Sequence, residues 1–302
     1  MRIVRAKNAG ACYGVQRALD LAQKTREDGI AATTLGPLIH NPLVVADLAA
    51  KGIGEAKEVD QVRTQAVIIR SHGVVPQVKE QIQQRGLIMV DATCPYVARA
   101  QKAAARLAQD GYHVLVVGEC GHPEVEGLRA YALQQGGPVT VAGSVSELPL
   151  DLGPRVGVVV QTTQTRETLE AVLEELERRG IQPKVVNTIC FATRERQEAA
   201  ALVARSAQVM VVIGGRNSSN TTRLADICKK SCPATYHIES PEELDPAWFA
   251  DAEVVGVTAG ASTPESHIQA VEVALENMGR QVVLPAQDDD AAEQDPSAFT
   301  RS

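Results

Sequence analysis

Short, unbroken runs of β-branched residues constrain this chain more than any other feature. They fall at residues 67–69, 114–117, 156–160, 209–213 and 254–257. Runs of this kind read as parallel strands covered on both faces. Amphipathic stretches at 16–27, 98–110, 167–179 and 194–206 lie between them. The pattern therefore predicts an α/β fold built from βαβ crossovers. Aromatic residues make up only 3% of the chain, so the core must come from Val, Leu, Ile and Ala.

A longer period is laid over this alternation. Three times a short strand ends in a polar turn, then a cysteine, then a helix. The segments are IVRAKNAGACYGVQRALDLA at Cys12, IMVDATCPYVARAQKAAARLA at Cys94 and VVNTICFATRERQEAAALVA at Cys190. Each interval has the size of one small α/β unit. The copies continue in register. A second strand in each ends in a polar loop, carrying His40, then His122 and Glu124, then Ser218, Ser219 and Asn220. A later strand ends at His72, at Thr162 and at Ser262. Ligands of open parallel sheets bind beyond the carboxyl ends of the strands. Units set around a pseudo-threefold axis would bring all nine loops together.

A thiol at a helix N-terminus is expected to ionise easily, because the dipole and free N–H groups favour thiolate. Three thiolates from three units suit an iron–sulfur cluster, which ordinarily takes four in its cubane form. A count of three leaves one iron open to substrate. The histidines can switch charge near neutral pH. The run GGRNSSN ahead of a helix near Thr221 makes an anion cradle. Glu124, beside such an anion, is expected to hold its proton and act as a general acid, with Glu126 as the competing choice. Cys120, Cys228 and Cys232 read as structural.

Other classes are disfavoured. The net charge of -7 argues against nucleic acid or an anionic membrane as partner. No apolar run reaches a membrane span, and the N-terminus lacks a signal-peptide stretch, so a cytoplasmic location is expected. GxGxxG, GxxxxGK[ST] and HExxH are all absent, so electrons for a reductase must come from another protein.

The motifs TLGPLIHN, RSHGV, DATCP, GHPEVEG, QTT, TICFAT, RNSSN and TAGAS, in this order, closely resemble the 4-hydroxy-3-methylbut-2-enyl diphosphate reductase family over about residues 1–283. The resemblance implies a three-domain trefoil around a central 4Fe-4S cluster. It implies the last step of the non-mevalonate isoprenoid pathway, in which two electrons and two protons remove an allylic hydroxyl as water. The products are isopentenyl and dimethylallyl diphosphate. It further implies cluster ligation by Cys12, Cys94 and Cys190. The substrate diphosphate is placed among His40, His72, His122, Ser218, Ser219, Asn220 and Ser262. Thr162 is placed near the substrate hydroxyl, with Glu124 delivering the proton. The expected electron source is an external one-electron donor protein of the ferredoxin or flavodoxin type. The expected domains are 14–93, 94–189, and 190–283 together with 1–13, followed by a disordered tail from about Gln287. One departure stands in GACYGV, where the family usually has an aromatic before the cysteine; Tyr13 is expected to fill the space beside Ala11. Two alternatives remain open. One is a related reductase acting on another allylic compound. The other is a structural zinc protein using the three cysteines and one His.

Overall fold

A computed structural model describes residues 1–278 and the backbone of 281–283. The expected tail lies outside these residues. Among the described residues the strands run in chain order as β1 (Arg2–Arg5), β2 (Ala32–Leu35), β3 (Gly54–Ala56), β4 (Ala66–Ile69), β5 (Ile88–Asp91), β6 (His113–Val117), β7 (Val139–Ala142), β8 (Val156–Val160), β9 (Lys184–Val186), β10 (Val209–Ile213), β11 (Thr235–Ile238), β12 (Val254–Ala259) and β13 (Gln281–Val283). The helices are α1 (Tyr13–Glu27), α2 (Pro42–Ala50), α3 (Pro76–Gln84), α4 (Pro95–Gln109), α5 (Pro123–Leu133), α6 (Arg166–Arg178), α7 (Phe191–Ala204), α8 (Ser219–Lys229) and α9 (Glu265–Asn277).

The strands form three sheets, ordered β3-β2-β4-β5, β7-β6-β8-β9 and β11-β10-β12-β1-β13. Every pairing is parallel. The α/β fold of three similar parallel units is thus present. Each sheet has an apolar layer on either face, and successive strand residues alternate between the two. In β10, Val209, Val211 and Ile213 enter one layer, and Met210 and Val212 the other. In β6, Leu115 and Val117 face one layer, and Val114 and Val116 the opposite one. In β4, Ala66 and Ile68 oppose Val67 and Ile69 in the same way. Burial of both faces explains why these strands read as unbroken apolar runs.

The connections between sheets fix the centre of the molecule. β5 leaves the first sheet and leads through Cys94 into α4, whose Ala100, Ala104 and Leu107 pack on the second sheet. β9 leaves the second sheet and leads through Cys190 into α7, whose Ala200, Val203 and Ala204 pack on the third. β1 lies in the third sheet and leads through Cys12 into α1, whose Val15, Ala18 and Ala22 pack on the first. Each cysteine therefore sits at a crossover between sheets, and the crossovers close a ring of three. Among the described residues, no helix is long and apolar enough to cross a membrane.

The helices α1, α4 and α7 begin three residues earlier than the apolar periodicity predicts. The first turn of each holds an exposed aromatic, Tyr13, Tyr96 or Phe191, which hides the amphipathic pattern.

Candidate active site

The nine loops at the carboxyl ends of β1, β2, β4, β5, β6, β8, β9, β10 and β12 converge on one cavity of about 80 Å³. Every residue expected to act lines it: Cys12, Cys94 and Cys190; His40, His72 and His122; Glu124 and Thr162; Ser218, Ser219, Asn220 and Ser262.

Cys12, Cys94 and Cys190 are the N-cap residues of α1, α4 and α7. Cys190 Sγ accepts from the Thr193 backbone N–H at 3.3 Å and lies 3.0 Å from Thr193 Oγ1. Cys94 is faced by the backbone N–H groups of Tyr96 and Val97. Cys94 and Cys12 approach each other across Gly14: a Cβ there would lie 2.5 Å from Cys94 Sγ and 3.9 Å from Cys12 Sγ. No side chain larger than hydrogen fits at that point.

The expectation of easily ionised thiols needs correction. Burial pushes Cys94 up to about 11 and raises Cys190, overriding the helix N–H donors. The desolvation of an isolated thiolate outweighs the dipole here. A bound cation reverses that balance, because coordination deprotonates a thiol outright. The donor set fits such a group. Three sulfurs from three units face one cavity, helix N–H groups are aimed at two of them, and a buried cation stands beside two. That cation is Arg196, which lies against Cys12 and Cys190. Its Nε and Nη2 donate to Gly10 O at 3.0 and 2.7 Å, and Nη1 donates to Ala192 O at 2.7 Å. Arg196 thus ties the start of α7 to the loop that carries Cys12.

Farther along the cavity the three histidine rings pack together, with centroids 4.2 Å apart for His40–His72 and 5.5 Å for both His40–His122 and His72–His122. Burial lowers all three below the usual histidine range, helped by the Arg70 charge at each and by neighbouring rings at His72 and His122, and takes His122 to about 3. Both ring nitrogens of His40, Nδ1 of His72, and the amide N and O of Asn220 are buried without a hydrogen-bond partner. Buried polar atoms left this way are donors and acceptors waiting for a ligand. Ser218 caps α8 through Thr221 N–H, so that helix N-terminus also points into the cavity.

Glu124 is the second residue of α5 and only 1% exposed. His122 Nδ1 accepts from its backbone N–H at 3.1 Å. Its Oε1 accepts from Thr162 N–H at 2.6 Å and its Oε2 from Thr162 Oγ1 at 2.9 Å. Burial pushes the carboxyl up to about 7 against the pull of Thr162 and Arg223. The direction matches the expectation, but burial rather than a neighbouring anion supplies it. Glu126, the competing choice, is part of an exposed ion pair with Arg129.

Three further expectations change. Tyr13 is 67% exposed and turned to solvent, while Ala11 packs against the core of the first unit. Cys120 is exposed, whereas Cys228 and Cys232 are buried in the third unit. The cradle helix begins at Ser219 rather than Thr221. Sequence reasoning also misses residues that organise the site. Asn41 caps α2 and donates through Nδ2 to Ser262 O at 2.9 Å, while Ser262 Oγ donates to His40 O at 3.1 Å. The signal for Asn41 is its place before Pro42. The signal for Arg196 is its register with buried Ala200 and Val203.

Three parallel sheets whose loops bring thiols, imidazoles and a buried acid into one cavity define an α/β enzyme whose donor set fits a metal group. The chain belongs to the LytB protein family, whose pattern matches residues 3–276. It is 49% identical over 266 residues to the 4-hydroxy-3-methylbut-2-enyl diphosphate reductase of Geobacter sulfurreducens, covering 88% of this chain and 93% of that one. It is 43% identical to the reductase of the same name from Geotalea uraniireducens, covering 93% and 99%. A solved structure of (E)-4-hydroxy-3-methyl-but-2-enyl diphosphate reductase, the terminal enzyme of the non-mevalonate pathway, is 41% identical, covers 91% of this chain and 99% of its own, and superposes with a TM-score of 0.67. The Plasmodium falciparum E-1-hydroxy-2-methyl-but-2-enyl-4-diphosphate reductase, 23% identical, shares the fold with a TM-score of 0.87.

Proposed function

We propose that this chain reductively dehydroxylates (E)-4-hydroxy-3-methylbut-2-enyl diphosphate to isopentenyl and dimethylallyl diphosphate, as the last step of the non-mevalonate pathway. The observation that carries the reading is a single cavity holding three thiols, three neutral imidazoles and a buried carboxyl poised near pH 7. Family membership and the relatives' shared activity support it.

Cys12, Cys94 and Cys190 would hold a 4Fe-4S cluster with one open iron. When bound, the cluster supplies electrons and Lewis acidity toward the substrate hydroxyl. The chain's own residues do the rest. The histidines, Ser218, Ser219 and Asn220 bind the diphosphate, whose charge draws protons onto the imidazoles. Asn41 and Ser262 hold the His40 loop in place for that contact. Glu124, whose carboxyl burial raises to about 7 so that its acid form is present near neutral pH, shares a hydrogen bond with the Thr162 hydroxyl and passes a proton toward the leaving oxygen. In the balanced reaction the C–O bond breaks, a C–H bond forms, and two electrons and two protons are consumed with release of water.

We assign the electrons to an external one-electron carrier protein of the ferredoxin or flavodoxin type, and the setting to the cytoplasm. Units cut at 14–93, 94–189, and 190–283 with 1–13 follow the three cysteine crossovers. The test is anaerobic purification and turnover. A brown protein with iron and sulfide that converts the diphosphate with reduced methyl viologen is expected. A colourless protein that cannot be reconstituted, or a loaded one that leaves the diphosphate intact, overturns the reading.

A further inference from the structure

The polar side chains at the start of α8 are not equally free. Ser218 Oγ accepts from Thr221 N–H and closes the helix end. The amide N and O of Asn220 are buried with no hydrogen-bond partner. Ser219 lies between the two and lines the same cavity, but its proton is already engaged: Ser219 Oγ donates to Glu119 Oε2. Glu119 belongs to the loop after β6, so this bond crosses from the third unit to the second.

Glu119 has a second partner on the same helix. Arg223, one turn farther along α8, donates through Nη2 to Glu119 Oε1 at 2.6 Å. Its Nη1 donates to Thr163 O and Thr163 Oγ1, both at 3.2 Å. The Arg223 side chain is 11% exposed and that of Glu119 45%, so the arginine is fixed in the interface while the carboxylate stands at its rim. The Glu119 backbone is also held, its N–H donating to Gln161 Oε1 at 3.0 Å. Glu119 and Arg223 line a separate groove of about 550 Å³ between the two units. A turn of the Glu119 side chain into that groove would release Ser219 without moving the loop.

A carboxylate is a poor neighbour for a diphosphate. Its charge repels the ligand, and it is felt inside the cavity, where it pulls His40 and Glu124 upward. A serine hydroxyl has a single proton to give. Ser219 therefore cannot donate to Glu119 and to a phosphoryl oxygen at once. Its present bond is charge-assisted, a class about twice as strong as neutral hydrogen bonds, so an incoming ligand meets a real competitor.

Resting on the proposed binding of diphosphate by Ser219, we infer that Glu119 is a positioning residue that competes with the ligand for the Ser219 hydroxyl and so sets how tightly a diphosphate is held. When the ligand arrives, the Ser219 O–H turns from Glu119 Oε2 to a phosphoryl oxygen, and Glu119 keeps Arg223. Substrate and both products carry the same diphosphate, so the competition weakens all of them alike. Uniform tight binding lowers KM without raising kcat. In a cavity that also offers three imidazoles and a helix N-terminus, it would hold the product back. Glu119 offsets that retention and speeds release, a step that often limits turnover.

The experiment titrates inorganic diphosphate into the cluster-loaded full chain by calorimetry. The parent is compared with Glu119→Ala, Ser219→Ala and the double variant. Glu119→Ala should bind diphosphate about tenfold tighter, the size expected when one charge-assisted competitor is lost. Ser219→Ala should bind it more weakly, and in that background the gain from Glu119→Ala should shrink by at least about threefold, because no hydroxyl remains to compete for. In steady-state assays of Glu119→Ala, KM and the inhibition constant of isopentenyl diphosphate should fall together while kcat does not rise. Glu119→Gln, which keeps an acceptor for Arg223, serves where loss of the carboxylate unsettles the fold, and it should shift affinity in the same direction by about threefold. A clamp that only joins the two units predicts the reverse, weaker diphosphate binding with a lower melting temperature in both Glu119 variants. That result, or an equal gain with and without Ser219, overturns the inference while the parent's affinity stands. A parent that fails to bind diphosphate overturns the underlying reading and the inference with it.

Discussion

The first and second sheets share one strand order, yet they load the cavity with different chemistry. After β2 comes His40, and after the equivalent β6 comes His122. Asn41 caps α2, and His122 caps α5. The second residue of each helix then diverges: Leu43 is exposed on α2, whereas Glu124 is buried on α5. After β4 the cavity receives His72, and after β8 it receives Thr162, the partner of Glu124. On the proposed reading the first unit supplies two rings for an anion, and the second supplies one ring together with the proton. The repeated frame decides where a side chain arrives, and single loop residues decide what it does there.

Removing what the units have in common should have the largest effect. Cys94→Ser should abolish nearly all activity, with iron and sulfide content falling together with the visible absorbance. Full iron content in that variant would break the claim that the crossovers share one ligand set. Next in size is the feature peculiar to the second unit. Glu124→Gln keeps the shape and the Thr162 contact but loses the proton, so kcat should fall about a hundredfold or more. Substrate affinity, measured under non-turnover conditions, should hold.

The first unit should respond in the opposite sense. His72→Asn removes one donor to the diphosphate, a charge-assisted bond worth about 1.5–3 kcal/mol. Affinity should fall roughly 10- to 100-fold while kcat changes little. A collapse of kcat with affinity intact would erase the division of labour between the sheets.

The pH dependence sharpens the comparison with the smallest perturbation. Burial holds the Glu124 carboxyl at about 7, so its acid form prevails below that pH and is lost above it. The rate should decline about tenfold per pH unit on the alkaline side. That limb should be missing in Glu124→Gln. The histidines act at the other end. They are neutral in the free protein because burial lowers them. Binding a diphosphate raises them, so binding should take up protons, detectable as a buffer-dependent heat.

Much of this is legible in the order of the amino acids alone. The buried strands announce themselves through unbroken Val and Ile runs, because parallel sheets covered on both faces leave no polar alternation. The three cysteines are legible because a repeat gives them equivalent places, and the polar exits after β2, β6 and β10 follow from it. What stays hidden depends on distance in space rather than along the chain. The register that sets Gly14 against Cys94 joins residues from different units. Arg196 reads as an ordinary helix-surface cation until Gly10 is seen to accept from it. Cys94 and Cys190 ionise less readily than expected because a helix start is visible in sequence but the depth at which it is buried is not.

The position of β1 has a consequence for how the protein is made. This strand pairs with β12 and β13, the last strands in chain order among the described residues. A chain emerging from the ribosome can complete its first two sheets while its own first residues wait without partners. Cys12 is thus the earliest of the three cysteines to be translated and the last to be fixed. Loading of a group that needs all three must wait for the third sheet, and a chain cut short before β12 carries Cys12 without the strand that fixes it.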